Sequence, residues 1–248
     1  MIEISEAVVL MAGSGSRLRT TASTVIKPLV PILGRPLISY TFDALRHAGI
    51  RTVYAVVGFE SDIVSRLVEP LAPPDLALRF IENPDWNKQN GISVLAAAPH
   101  VKSPFVLTMS DHVFDQSILD LLIRRGAPDR LHLTVDRKLD SICDRDDAMK
   151  VQTRGEQIVT LGKDLREYDA IDTGLFLCTA DLFDHLEQAR QRAGGDCSLA
   201  DGVRSMAATG KARAIDIGAA WWQDVDTPEM LACAEQHLRE RSELAEGV

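Results

Sequence analysis

Ile4-Ser5-Glu6-Ala7-Val8-Val9-Leu10 runs directly into Met11-Ala12-Gly13-Ser14-Gly15-Ser16-Arg17-Leu18. From Ala7 the apolar residues do not alternate with polar ones, which predicts a strand covered on both faces. Gly13 and Gly15 then break the strand, with Ser16 and Arg17 close behind. A break of this kind leaves backbone N–H groups free to surround an anion. Arg17 would add a full positive charge there. So would Lys27, which follows a polar stretch and opens Lys27-Pro28-Leu29-Val30-Pro31-Ile32-Leu33-Gly34-Arg35-Pro36. The stretch fits a nucleotide-phosphate loop. Spacing alone also allows a tight structural turn, because the Lys-Ser or Lys-Thr ending of a P-loop and the third glycine of a dinucleotide fingerprint are both missing. Lys27-Pro28 favours the phosphate loop, since it sets a cation beside a residue that cannot continue a helix.

Working outward, strands and helices alternate. Pro36 sits where a first helical residue belongs, with Leu37, Ile38, Tyr40, Phe42, Leu45 and Ala48 at helical spacing and Gly49 as a stop. Strands are predicted at 52–57, 76–82, 104–109 and 131–135, and helices at 62–68, from Ser93 to about Ala98, and at 116–125. This rhythm predicts right-handed βαβ units, hence an α/β fold with a mostly parallel sheet and helices on both faces. Residues 148–152 and 157–161, joined by Arg154-Gly155, depart from it as a small antiparallel hairpin. Further on come an apolar run at 175–178, helices at 180–192 and 199–208, a strand near 212–217 and a terminal helix to about Arg241. No linker or internal repeat divides the 248 residues, so one domain is expected. Ligands of such sheets bind at the carboxyl ends of strands. The polar clusters at 11–17, 58–61, 83–91 and 110–112 all fall at such ends, which places them in one cleft.

Lys and Arg total 27 against 36 Asp and Glu, a net charge of −9, which speaks against a broad nucleic-acid surface. An acidic protein with a few positioned cations suits a small polyanion. No run approaches the roughly 18 apolar residues of a membrane span, and no leader pattern opens the chain, so the expected location is the cytoplasm. Cys143, Cys178, Cys197 and Cys233 have no metal-ligand spacing and read as small buried apolar residues or incidental thiols.

Asp111 and Asp226 each stand where an apolar run stops. Two carboxylates converging from distant segments suit Mg²⁺, whose other ligands are water and phosphate oxygens. Helix caps and salt bridges are the structural alternative, and Asp224 competes with Asp226 for the role.

Leu10 to Leu18, Lys27-Pro28-Leu29 and Gly34-Arg35-Pro36-Leu37-Ile38 together resemble the signature of the sugar-phosphate nucleotidyltransferases. Ser110-Asp111-His112-Val113, Asp136-Arg137-Lys138, Gly162 to Glu167, Asp172-Thr173-Gly174 and Trp222 to Thr227 narrow the resemblance to the CTP:inositol-1-phosphate cytidylyltransferases. The resemblance covers nearly the whole chain. It implies a Rossmann-like nucleotidyltransferase fold with a nucleotide-binding half at about 1–115 and an acceptor-binding half at about 116–248. It also implies an Mg²⁺-dependent transfer of the cytidylyl group from CTP to 1L-myo-inositol 1-phosphate, giving CDP-inositol and pyrophosphate.

By the same resemblance, Met11, Ala12, Gly13, Ser14, Gly15 and Ser16 wrap the triphosphate, with Arg17 and Lys27 as the catalytic cations. Asp111 and Asp226 hold the metal. Gln89, Asn90, Gly91 and Ser93 are the base-recognition candidates, although a polar loop capped for its own sake would look alike. Asp136, Lys138, Lys150, Lys163 and Asp172 are candidates for the acceptor end, where any single lysine also reads as a solvated surface residue. Related enzymes act on phosphocholine, aminoalkylphosphonates or sugar 1-phosphates, and these acceptors stay open. Many inositol-type enzymes carry a membrane-embedded transferase domain after this one. As the sequence ends at Val248, a separate membrane-bound CDP-alcohol transferase is the expected downstream partner. A catalytically silent nucleotide-binding regulator is the alternative from another class, and the retained Arg17, Lys27, Asp111 and Asp226 argue against it.

Overall fold

The computed structural model describes residues 4–15, 26–102 and 104–246. Strand β1 (Glu6–Leu10) is central to the first half of a nine-stranded sheet. Its neighbours on one side are β4 (Thr52–Val57) and β5 (Ala77–Glu82), and on the other β6 (Phe105–Met109); all of these pairings are parallel. The unbroken apolar run of β1 has a simple cause. Val8 and Leu10 join one buried cluster with α3 (Asn90–Ala97), α5 (Asp181–Arg192) and α6 (Leu199–Ala208). Ala7 and Val9 join a second cluster on the opposite face, with α1 (Leu37–His47), α2 (Ser61–Val68) and α4 (Gln116–Arg125). Helices cover both faces, so both sets of side chains must be apolar.

The second half is mixed. β11 (Ala170–Cys178) runs antiparallel to β6 and to β8 (Leu131–Asp136), and β8 pairs in parallel with β12 (Ala212–Asp216). The expected hairpin is β9 (Lys150–Arg154) and β10 (Gln157–Gly162), antiparallel to each other. β10 also meets β12, and β9 returns to pair with the start of β11, so these five strands form a closed circuit of pairings. The antiparallel share therefore extends beyond one hairpin, because β11 reverses the direction of the sheet at its centre.

Several boundaries move for identifiable reasons. Pro36 pairs with Pro31 in a short ribbon, β2 (Pro31–Ile32) with β3 (Arg35–Pro36), and α1 begins one residue later. Its φ of −56° and ψ of 136° are extended, so proline caps the helix instead of opening it. α3 starts at Asn90 because Gln89 is extended and the Asn90 side chain accepts the Leu199 N–H at 2.8 Å. The run at 175–178 is the end of the nine-residue β11, whose register breaks between Asp172 and Phe176 at Gly174, φ 76°. The terminal helix α7 (Pro228–Glu246) passes Arg241. Among the described residues no helix is long and apolar enough to cross a membrane.

Gly58, after β4, is a packing requirement. A Cβ there would lie 2.2 Å from Trp86 Cβ and 3.0 Å from the Ala12 carbonyl oxygen. Neither can swing away, so Gly58→Ala is expected to lower stability by about 1–3 kcal/mol, the usual range for overpacking. Denaturant unfolding measures this, and an unchanged midpoint would show that the Trp86 loop yields freely.

Candidate active site

Three strand ends and one short ribbon assemble the site. The chain leaves β1 with Met11 N–H donating to Val56 O at 2.9 Å, and Phe59 N–H donates to Ala12 O at 3.0 Å. These bonds hold the first loop level with the end of β4. Ser110 N–H donates to Leu10 O at 3.0 Å, which brings the end of β6 alongside. Beyond it β7 (His112–Phe114) pairs antiparallel with β13 (Trp222–Asp224), and Val225 N–H donates to Asp111 O at 2.8 Å. The ribbon thus brings Asp226 beside Asp111 from far along the chain. A third buried cluster, Val30, Ile32 and Leu37 with Val113, Val225 and Ala234, fastens the Lys27 segment to the ribbon and to α7.

Lys27 Nζ donates to Asp111 Oδ2 at 2.5 Å and also to Asp226 Oδ1. Burial by itself would lower the Lys27 pKa, but the two carboxylates outweigh it and hold the ammonium above its ordinary 10.5. Asp111 uses its other oxygen on His112 Nδ1, at 2.5 Å. Burial works to raise its pKa, yet Lys27 and His112 together drive it far below the carboxylate range. Burial likewise opposes charge on His112, and Asp111, Asp224 and Asp172 reverse that effect, so the imidazole is held toward its protonated form. His112 also stacks on Trp222 at 6.0 Å between ring centres.

A cavity of about 340 Å³ opens over this centre, lined by Met11, Gly13, Ser14, Gly15, Lys27, Asn90, Ser110, Asp111 and Asp226 among others. A second, of about 230 Å³, is lined by His112, Asp147, Lys163, Asp172, Gly174, Trp222 and Asp224 among others. Asn90, Met109 and Asp226 line both, so the two cavities share one edge. The arrangement offers an anion-binding half next to an acidic half, with the Lys27 and carboxylate centre between them. Gly15 has φ 63°, and a Cβ on it would sit 3.0 Å from Lys27 Cβ, so the second glycine of the loop is needed where the chain passes Lys27.

Not every residue singled out in the sequence faces these cavities. Ser16 and Arg17 lie outside the described residues. Ala12 is buried, with its carbonyl bonded to Phe59. In the 89–93 stretch only Asn90 lines either of these two cavities. The Gln89 N–H is bonded to Asp196 at 3.0 Å, Gly91 is packed on the Cys197 carbonyl, and Ser93 is buried as the acceptor of an Asn83 bond at 3.0 Å. At the acceptor end Lys163 and Asp172 line the second cavity. Asp136 does not, because it accepts from Lys138 Nζ at 2.8 Å and from Trp222 Nε1 at 3.0 Å. The Lys138 ammonium is further occupied by the Gly218 and Ala220 carbonyls, at 2.7 and 3.1 Å. Lys150 is buried and donates to the Asp146 and Lys163 carbonyls at 2.9 and 2.6 Å. These three side chains hold loops together. Asp224 Oδ1 accepts from Gln223 at 3.0 Å and faces the second cavity, while Asp226 shares Lys27 with Asp111.

Sequence reasoning assigned no role to His112, Asp147 or Trp222. His112 had one available signal, its position directly after Asp111. Trp222 had its place in the Trp222 to Thr227 stretch that carries the resemblance, and Asp147 had no signal, since its position depends on the 142–149 loop.

Asp172 carries a pH signature. Burial pushes its carboxyl from an ordinary 3.8 up to about 6, against the opposing Gly174 N–H and His112. The folded protein therefore binds this proton more tightly than the unfolded chain. That contribution to stability is complete below about pH 4 and is lost as pH rises through about 6. Asp172→Asn keeps an oxygen for the Gly174 N–H bond, made at 2.7 Å by Asp172 Oδ1, and removes the charge. The variant should gain stability relative to the wild type between pH 5 and pH 8 in denaturant unfolding. A difference independent of pH would contradict the assignment.

The family model for the MobA-like NTP transferase domain matches residues 7–208. The chain is 35% identical to a protein named bifunctional IPC transferase and DIPP synthase from Rubrobacter xylanophilus, over 93% of this chain and 51% of that protein. It is 30% identical to a CMP-5'-(3-aminopropyl)phosphonate synthase of Streptomyces rubellomurinus, over 90% of this chain and 37% of that one. The chain thus spans about half the length of the first relative and less of the second. Among solved structures, the inositol-1-phosphate CTP transferase from T. maritima matches with a TM-score of 0.80 and 27% identity, covering 92% of this chain and 91% of the other. The matched segment contains the glycine loop, Lys27, Asp111 and most of the second cavity, and on that extent this chain belongs to the MobA-like NTP transferase domain family.

Proposed function

We propose that the chain transfers a cytidylyl group from CTP to 1L-myo-inositol 1-phosphate, releasing pyrophosphate. The observation that carries this reading is the pair of cavities meeting at Asp226, with Lys27 and Asp111 at the junction. The inositol-1-phosphate CTP transferase, similar over nine-tenths of both chains, supports the choice of substrates. The first cavity receives the triphosphate on the Gly13 to Gly15 backbone, with Arg17 a further cation for it. The second receives the acceptor, with Lys163 for its phosphate and Asp172 and Asp224 for its hydroxyls.

No general base is needed, because a phosphate monoester is largely ionised near pH 7. An acceptor phosphate oxygen attacks the α-phosphorus, the bond to the β-phosphate breaks, and the electron pair leaves with pyrophosphate. Lys27 neutralises charge developing around the α-phosphorus. Asp111 and Asp226 turn one oxygen each toward the same cation, a donor pair that fits Mg²⁺. When bound, Mg²⁺ supplies charge neutralisation on the α-phosphate and its neighbouring oxygens. His112 and Lys27 keep Asp111 ionised and oriented.

A second reading has its own observation. Asp147, Asp172, Asp224 and Asp226 surround the second cavity, and such a lining also suits an amine. A relative named for an aminopropylphosphonate product points the same way. Pyrophosphate release is the test, with each of four nucleotides crossed against inositol 1-phosphate, phosphocholine, aminoethylphosphonate and glucose 1-phosphate. CTP with inositol 1-phosphate is expected to be the fastest pair. Activity confined to the phosphonate would replace the acceptor, and no release with any pair despite CTP binding would favour a regulator.

A further inference from the structure

Cys143 and Cys233 are 90 positions apart in the sequence, yet their sulfurs face each other at 3.2 Å, with Cys143 donating. Both residues are exposed, whereas Cys178 and Cys197 are buried singly in the core. A sulfur pair at this separation needs to close by about 1 Å to bond. The two cysteines also sit on segments that bear on the site. Cys233 lies on α7, which starts two residues after Asp226. Cys143 opens the 143–149 segment, whose far end, Asp147, Ala148 and Met149, lines the second cavity. The segment is internally wired: Asp144 O accepts from Ala148 N–H at 3.1 Å, and Asp144 Oδ1 accepts from Asp147 N–H at 3.3 Å. Cys143 and Asp144 further line a neighbouring cavity of about 260 Å³ together with Asp224 and Trp222.

We propose that Cys143 and Cys233 are a redox-modification site: they form a reversible disulfide that pins the 143–149 segment to α7 and fixes one wall of the acceptor cavity. With a small disulfide as oxidant, one protein thiolate attacks it, forms a mixed disulfide and releases one small thiolate. The second protein thiol, on losing its proton to solvent, attacks the protein sulfur of the mixed disulfide and expels the other small thiolate. Two protein thiols are oxidised and one oxidant disulfide is reduced to two thiols. The consequence for the acceptor rests on the function proposed above, whereas the disulfide does not.

The test exposes the full chain to oxidised glutathione at mildly alkaline pH, followed by non-reducing peptide mapping. The wild type is expected to lose two hydrogens and yield one cross-linked Cys143–Cys233 peptide, reversed by dithiothreitol. Cys143→Ser should instead stop at a stable glutathione adduct on Cys233. Stable adducts without a cross-link in the wild type, or no reaction, would overturn the site. In the oxidised protein, backbone hydrogen exchange across 143–149 should slow, which reads the pinning whether or not the enzyme reaction is the proposed one. The KM for inositol 1-phosphate should rise about fivefold while that for CTP holds, the lower end of ordinary coupling between sites. A disulfide that forms and leaves both exchange and KM unchanged would overturn its link to the acceptor wall.

Discussion

Replacing Lys27 by alanine is expected to cut turnover by about 1000-fold, the upper range for removing one preorganised stabilising group. Its ammonium stands between Asp111 and Asp226, with the first cavity open over it. Removing it leaves two nearly buried carboxylates facing each other. Loss of one side of a buried ion pair destabilises by up to about 3–5 kcal/mol, and His112, still bonded to Asp111, offsets part of that loss. The two effects separate by ion. Magnesium chloride should raise the melting temperature of Lys27→Ala more than that of the wild type, because the two carboxylates have lost the ammonium they share. Turnover should not return with it, since the charge at the α-phosphorus is still missing. Thermal scans with and without magnesium, alongside steady-state rates, check both. Retained turnover would remove Lys27 from the reaction.

Asp111→Asn is the second large effect. The amide keeps the shape of the carboxylate but offers one acceptor oxygen where Asp111 uses two, for Lys27 and His112, so the fold should persist with some loss of stability. The charge is lost at the point where Lys27 and His112 both converge. Turnover is expected to fall by about 100- to 1000-fold. The variant also carries an internal control. Asp111 is the strongest influence holding His112 toward its protonated form, so without it the imidazole pKa should fall. NMR titration of His112 reads that shift independently of activity. A wild-type rate in Asp111→Asn would exclude this carboxylate from the reacting centre, and an unmoved His112 titration would contradict the geometry.

What could be read in the chain follows from how each feature is encoded. The strands at 6–10, 52–57 and 105–109 are buried on both faces, so each is a nearly continuous apolar run, short and largely β-branched or aromatic, whereas the edge strand at 77–82 is half-exposed and carries Arg79 and Glu82. Their ends carry the polar clusters, and the cleft followed from that. The β7–β13 ribbon was not legible. Each strand has three residues, too few for any period, and both lie inside polar clusters. Asp111 and Asp226 were therefore paired on the chemistry of a metal site, and the ribbon with the Val30, Val113 and Val225 cluster is the physical cause of their meeting.

The lysines show the opposite case. Lys150 reads as strongly as Lys163 for a phosphate contact in the sequence and Lys138 less so, yet Lys150 is held by the backbone carbonyls of 146 and 163, and Lys138 by those of 218 and 220 besides Asp136; backbone carbonyls leave no mark on residue type. Only Lys163 keeps its ammonium at the cavity, paired with Asp147 at 2.6 Å. The cysteine pair is hidden for the same reason: its 90-residue separation carries no spacing signal, and one contact between the 143–149 segment and α7 creates it.

In the proposed reaction the Lys27, Asp111 and Asp226 junction joins the α-phosphorus of CTP to the acceptor phosphate. Phosphorus NMR of the full chain with CTP, magnesium and inositol 1-phosphate follows this bond directly. The acceptor phosphate and α-phosphate resonances are expected to be replaced by a coupled pair from a new diphosphate diester, with pyrophosphate growing in equal amount, and Asp226→Asn should suppress both. Pyrophosphate without the coupled pair, meaning water as the acceptor, or an unchanged spectrum with CTP bound, would contradict it.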